Sequence, residues 1–562
     1  MSNTDFKNTD KKLLCFFFFL IPLIHSACFK QAFTGPKVVA VALFVGYLFL
    51  GMGIKKFFKS PFRYLGGVLM FYTAGVLIVS GNSVFLGGDY LVLVPILIIL
   101  GVLSGSQTEN VKENLLYWNL VLLALLSLFA IGQEFGLPDF SSRFTDTLRP
   151  YTFLGNRNYT ADLLILLVPF LIAAVEQISK KFILGFIPVL AAIVFTRSFR
   201  GILGLGSILL FYFLFTRPPA KKKYGVLAGV FLCLGVGFVF QNYSRITESN
   251  LRPRLLRWKI TKNMIAENPV TGFGLGTFQY FYPQYQEEFF RESTNRVVHY
   301  KDIAQSPQRV NNEYLDVIIE TGLIGFFMIS GIFVLWYKKI NLNYRKIDFP
   351  AAAGIFGLLA SGFFGFPFHR PSILYIVAIN MGVTVRPSGY SKTTIKGLKI
   401  YKCTLLILIL FVVTVFTIYQ IKWEKADREF VALDYTQALK QSKNALTYSF
   451  IPGKIYFLKG RIYYRKNMFL NALENYNKAE KTFAHRSLYF NRGLVHYKMF
   501  QYDDAEKDFE KAWYTTPEFQ PAFNMLEQLY INLNKKEKLK NLRAMIKDKE
   551  FSDPEMNFMK ND

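Results

Sequence analysis

The chain has 562 residues, is 52% hydrophobic and 17% aromatic, and carries a formal net charge of +27. The apolar excess is concentrated before Lys422 and exceeds what the cores of a soluble protein can hide, which excludes an ordinary soluble enzyme for the first three quarters of the chain. The charge does not read as a nucleic-acid footprint, because 42 Lys/Arg against 20 Asp/Glu fall in residues 1–423 and cluster in short loops between apolar runs, the positive-inside pattern of a membrane protein.

Apolar runs begin near Leu13, Val38, Phe62, Tyr90, Leu115, Tyr159, Phe182, Gly201, Tyr224, Tyr314, Pro350, Ser372 and Tyr401. Most are close to the roughly 20 residues an α-helix needs to cross a bilayer, which predicts about thirteen spans. The first, LLCFFFFLIPLIHSACF after Lys11 and Lys12, is expected to be a transmembrane helix and not a cleaved signal, because further spans follow at once. With a cytoplasmic N-terminus, the even-numbered spans lead into KKFFKSPFR, the single Lys112, ISKK, RPPAKKK, YKKINLNYRK and RPSGYSKTTIKGLK, and five of these six loops are strongly basic. The odd-numbered spans then deliver to the outer side Gln133–Asn158, TRSFRG, a long loop at about 241–313, GFPFHRP and everything after Lys422.

Past Trp423 the sequence becomes mixed in charge, with 24 basic and 19 acidic residues, and repeats itself. Gly460, Tyr463, Ala472, Tyr476 and Ala479 recur 33 residues later as Gly493, His496, Ala505, Phe509 and Ala512, and Pro517 closes the second unit. Small residues where two helices cross, with aromatics between them, resemble the tetratricopeptide pattern. A partial unit at Ala438 and Ala445 and a worn one at Glu527 and Tyr530 bring the expectation to three to four helix pairs. The predicted fold is therefore all-α: a polytopic membrane bundle of about 12–13 helices over residues 1–423, then an α-solenoid over 424–562. Such a solenoid either presents a concave surface to a peptide or protein partner or serves as a structural cap.

No metal or cofactor motif is present. The four cysteines form no ligand spacing, the five histidines are dispersed, and GxxxxGK[ST], HExxH and CxxC are all absent. The glycines of TGFGLGTF lack the Lys-Ser/Thr pair or βαβ unit of a phosphate cradle. What remains is arginine on the outer side: Arg149, Arg197, Arg200, Arg254, Arg257 and Arg370. A planar guanidinium pairs bidentately with phosphate and stays charged, so several converging at a membrane mouth suit a pyrophosphate. Anchoring at the bilayer interface is the alternative role for each, least so for Arg200, which sits beside Gly201 between two spans.

Taken in order, FLGNRNYTADLLILLVPF, TRSFRGILGLG, RLLRWKITKNMIAENPVTGFGLGTF, NNEYLDVIIETGLIG and FPFHRP resemble the O-antigen ligase and polymerase superfamily of bacterial membrane glycosyltransferases, from Arg149 to Gly382. The resemblance implies an inverting, metal-independent transfer of glycan from an undecaprenyl-pyrophosphate carrier at the outer face of the cytoplasmic membrane. The acceptor would be a lipid A core sugar, a growing chain or a protein hydroxyl. By motif position Arg200 resembles the family's arginine at the pyrophosphate and Arg254 its loop arginine, with Arg149 and Arg257 nearby in sequence. Asn312 and Glu313 would contact the acceptor.

One position departs from the family pattern. Where the family has His before Asn, this chain has Asn311, and asparagine can orient a hydroxyl but cannot act as a base near neutral pH. Three readings follow: a carboxylate such as Glu313 or Glu320 takes over, His299 folds back from the same loop, or the chain is a non-catalytic assembly factor or transporter that keeps the fold.

Overall fold

The computed structural model describes residues 8–23, 109–136, 152–216, 251–304, 309–340, 347–385, 398–449, 452–517 and 519–545, with isolated positions at 37–103, 150 and 307. The spans expected near Val38, Phe62, Tyr90 and Tyr224 lie wholly or largely outside these residues, and so does Arg149. Among the described residues all regular structure is helical.

Among the described residues, three helices are long and apolar enough to cross a membrane: α2 (Glu109–Glu134), α3 (Arg157–Gln177) and α9 (Glu313–Lys339). Shorter apolar helices are α1 (Asn8–Leu23), α5 (Phe199–Phe215), α10 (Asp348–Ser361) and α11 (Pro371–Thr384). The span expected near Phe182 is divided into a 3-10 stretch, Lys180–Gly185, and a ten-residue helix, α4 (Phe186–Phe195). Alone, α4 reaches only about 15 Å.

Helix α3 is the hub of the membrane part, with every residue from Thr160 to Ala174 buried. Its start is set by Asn156, whose Oδ1 accepts the Asn158 N–H at 2.8 Å. Glycines on α5 and α10 let both backbones approach it. A Cβ at Gly204 would lie 2.6 Å from Ile165 Cδ1, and one at Gly354 would meet the Leu166 carbonyl. Between lipid-embedded helices, where tails are as apolar as leucine, close backbone approach of this kind supplies the packing energy. The crossing also brings Asp162 of α3, Arg200 of α5 and Ser361 of α10 together.

The described part of the long loop at about 241–313 folds into α6 (Arg252–Glu267), α7 (Phe278–Arg291) and α8 (Thr294–Tyr300). Between α6 and α7 the glycine-rich stretch docks on α9. Phe273 N–H donates to the Ile319 carbonyl at 2.7 Å and Gly274 N–H to that of Glu320 at 2.8 Å, while Leu323 N–H donates to the Pro269 carbonyl at 2.9 Å. These bonds are possible because α9 is broken at Gly322, which takes φ +63° and ψ −176°; a Cβ there would lie 2.6 Å from Thr271 N. Glu320 lies within this candidate span, two residues before the break.

Helix α12 (Leu398–Val431) runs unbroken through residue 423, so the expected domain boundary falls inside a helix and not in a linker. Its C-terminal part packs with α13 (Tyr435–Thr447). Paired helices follow: α14 (Gly453–Arg465) with α15 (Phe469–Glu480), α16 (Arg486–Lys498) with α17 (Tyr502–Thr515), and α18 (Gln520–Asn532) with α19 (Lys536–Ala544). The 33-residue period has a direct packing counterpart. A Cβ at Gly460 would collide with the Tyr476 ring, and one at Gly493 would lie 2.7 Å from Phe509 Cε1. This array is not separate from the long loop, since α7 packs on α17 and shares its apolar core. Gln286 donates to the Thr515 carbonyl, and Arg291 pairs with Glu510 at 3.3 Å while lying 4.8 Å from the Tyr514 ring centre.

Candidate active site

The site is built on the turn between α10 and α11, residues Gly362–Arg370, which has arginines on one side and carboxylates on the other. On the first side Arg200, 4% exposed, pairs with the fully buried Asp162 at 3.0 Å, and Ser361 Oγ donates to the other Asp162 oxygen at 3.2 Å. The Gly365 backbone lies directly against this guanidinium, so close that a Cβ there would be 2.7 Å from Arg200 Cδ and Cζ. Phe364 receives α6: the Arg254 guanidinium stands 5.8 Å from its ring centre and Trp258 6.3 Å.

Arg254 is half-buried and has no carboxylate partner among the described residues. Burial, then the neighbouring charges of Arg200 and Arg257, push its pKa down to about 10. Arg257 is likewise pushed down by burial, against which Tyr282 and Asp316 act. Like charges gathered in a partly buried place raise one another's energy unless an anion joins them. Arg370 takes a different place, stacked 3.7 Å from the Tyr159 ring centre and 4.8 Å from that of Phe366. Arg197, largely exposed, pairs with Glu134 at 2.7 Å.

On the second side, Asn311 turns the chain with φ +63° and Asn312 caps α9, its Oδ1 accepting the Tyr314 and Leu315 N–H groups at 3.0 and 3.1 Å. The Asn312 side-chain oxygen therefore serves the helix start. Glu313 points into the turn: its Oε1 lies 2.9 Å from His369 Nδ1, and its Oε2 accepts the Phe368 N–H at 3.1 Å. The other ring nitrogen, Nε2, stands 3.5 Å from Glu320 Oε2, and Glu320 Oε1 is held by Arg309. Burial and Arg309 both disfavour a charge on His369, but its pairing with Glu313 and Glu320 outweighs them and lifts its pKa to about 10. The imidazole in this turn is thus an imidazolium at neutral pH.

The structure brings together Arg200, Arg254, Arg257 and Glu313 of the residues expected from sequence. His299 lies at the end of α8, its ring edge-on to Tyr300 with centres 4.4 Å apart and its carbonyl accepting from Arg252 at 3.1 Å. The histidine that meets Glu313 is His369, from a motif read only for its arginine. A signal for it existed. Glu313 and Glu320 are seven residues apart, hence on one helix face, and two buried carboxylates on one face require cationic partners. Asp162, inside the apolar NYTADLLILL, carried the same signal.

No curated protein matches the chain. The family model described as O-antigen ligase matches residues 184–330, which include Arg200, Arg254, Arg257 and the Asn311–Glu320 segment but neither Asp162 nor His369, and this match supports the O-antigen ligase superfamily as the relationship of that segment.

Proposed function

We propose that this protein transfers a glycan from an undecaprenyl-pyrophosphate carrier to a hydroxyl of a lipid, growing-glycan or protein acceptor at the outer face of a bacterial cytoplasmic membrane. The observation that carries the reading is that Arg254, lacking a carboxylate partner among the described residues, stands within electrostatic reach of both the buried Arg200 and Arg257. A leaving pyrophosphate develops charge that fixed cations stabilise in a site without bulk water. Apolar helices on either side suit the carrier's lipid, and the family match supports the reaction class. In this reading the N-terminus lies in the cytoplasm, and the helix pairs after α12 lie on the outer side as a tetratricopeptide-like solenoid that recruits a partner or acceptor. Their packing on α7 would bring such a partner close to the arginines.

The test is Arg200→Ala in the host's own membrane, together with purified protein given undecaprenyl-pyrophosphate glycan. Loss of surface glycan assembly and of undecaprenyl pyrophosphate release, at unchanged protein level, is expected. Unchanged glycan attachment and chain length would overturn the assignment.

A further inference from the structure

The carboxylate side of the site is complete in a way the sequence did not foresee. Glu320, 1% exposed, has one oxygen engaged by Arg309, while Oε2 has no hydrogen-bond partner among the described residues. Its nearest cation is His369 Nε2 at 3.5 Å, and the ring is oriented from its other side by Glu313 at 2.9 Å. Glu313, His369 and Glu320 line a cavity of about 170 Å³, whose remaining wall is largely apolar and includes Leu275, Phe326, Phe333 and Met381 beside Thr321 and Ser330. A buried carboxylate oxygen whose nearest donor stands at 3.5 Å, at the long limit of a hydrogen bond, leaves room for a second donor, and a hydroxyl entering the cavity would supply it.

We propose that Glu320 is the proton acceptor of the transfer reaction, with His369 and Arg309 as the cations that face its two oxygens and Glu313 setting the ring. This inference rests on the glycan-transfer reading above. The acceptor hydroxyl hydrogen-bonds to Glu320 Oε2; its oxygen attacks the anomeric carbon while its proton passes to the carboxylate. The anomeric C–O bond to the pyrophosphate breaks, and the leaving group departs with the electron pair toward Arg200 and Arg254. Balance requires nothing else. The two halves lie on one segment: Gly362 touches Glu313 and Gly365 touches Arg200, three residues or at most about 10 Å of chain apart. The role that the family pattern gives to a histidine at position 311 thus falls to a carboxylate nine residues further on. His369 is a positioning residue, because an imidazolium has no lone pair with which to take a proton.

The experiment uses full-length protein in proteoliposomes with undecaprenyl-pyrophosphate glycan extracted from host cells in which the gene is deleted. Glu320→Gln is expected to lose about 10²- to 10⁴-fold in transfer, the usual worth of a general base, while still binding undecaprenyl pyrophosphate. Azide, a nucleophile with no proton to lose, should restore donor cleavage to Glu320→Gln and not to Arg200→Ala. Glu320→Asp, which keeps the charge, should transfer faster than Glu320→Gln. The groups facing Glu320 are Arg309, His369, Glu313 and Asp316. Removing one cation by His369→Gln should move the acid limb of the pH–rate profile to higher pH, whereas a purely structural role would lower the rate without moving it. Wild-type transfer by Glu320→Gln, with Arg200→Ala inactive, would overturn this proposal and leave the transfer reading standing. Donor binding by Glu320→Gln without azide rescue would also overturn it. No discharge by the wild type would overturn both.

Discussion

Gly365→Ala tests whether the turn and Arg200 form one unit. Gly365 has φ −163°, extended backbone that any residue adopts, so the substitution adds a methyl group without backbone strain. That methyl would lie 2.7 Å from Arg200 Cδ and Cζ and closer still to Nη1. A free arginine would swing aside at little cost. Arg200 is 4% exposed and tied at 3.0 Å to Asp162, so it moves only by loosening a buried ion pair. Overpacking of this kind costs about 1–3 kcal/mol, less than losing one partner of a buried pair, about 3–5 kcal/mol. The chain should therefore still fold, with its guanidinium displaced by about 1 Å, and a misplacement of that size costs on the order of 10²-fold in rate. The assay is undecaprenyl pyrophosphate release by the purified variant, with thermal unfolding in detergent as the control. Near-wild-type release from a folded Gly365→Ala protein would refute the rigid placement of Arg200.

Two further outcomes concern the scaffold. Gly322→Ala places a methyl against Val270 and Thr271 at a φ of +63°, so it should destabilise by more than the ~1 kcal/mol of the backbone term alone and release the 269–277 loop, read as faster amide exchange at Phe273 and Gly274. His485 caps α16 through Nδ1, which accepts the Ser487 N–H at 3.1 Å, and burial, then Arg486 and Lys454, depress its pKa to about 4. The unfolded chain takes up that proton near pH 6.5 and the folded chain does not, so local stability should fall as pH drops from about 6.5 to 4, by at most about 3 kcal/mol. His485→Asn keeps a capping side chain and should abolish this pH dependence of amide exchange in α16.

Much of the architecture was legible because it is one-dimensional. A membrane span needs only a length of apolar residues, and a helix-pair repeat needs only small and aromatic residues at a fixed period, so α3, α9 and the pairs from α14 to α17 follow from local pattern. Arg200, Arg254 and Glu313 could be named for the same reason, since each stands in a short motif. Other features depend on residues far apart in the chain. The glycine-rich loop looked like a failed phosphate cradle until its docking on the broken α9 showed that Gly272 and Gly322 exist to let two backbones meet. Residue 423 looked like a boundary because composition changes there, yet helical hydrogen bonds continue through it.

The sequence by itself determined that this is a helical membrane protein with arginines in the loops between its apolar runs, a repeat near its end and an asparagine, Asn311, where the family it resembles carries histidine. Only the tertiary structure decided which cations meet the carboxylates that follow it. A buried carboxylate must find a cation, and His369, 49 residues beyond Glu320, reaches it because the α10–α11 turn folds back across the start of α9.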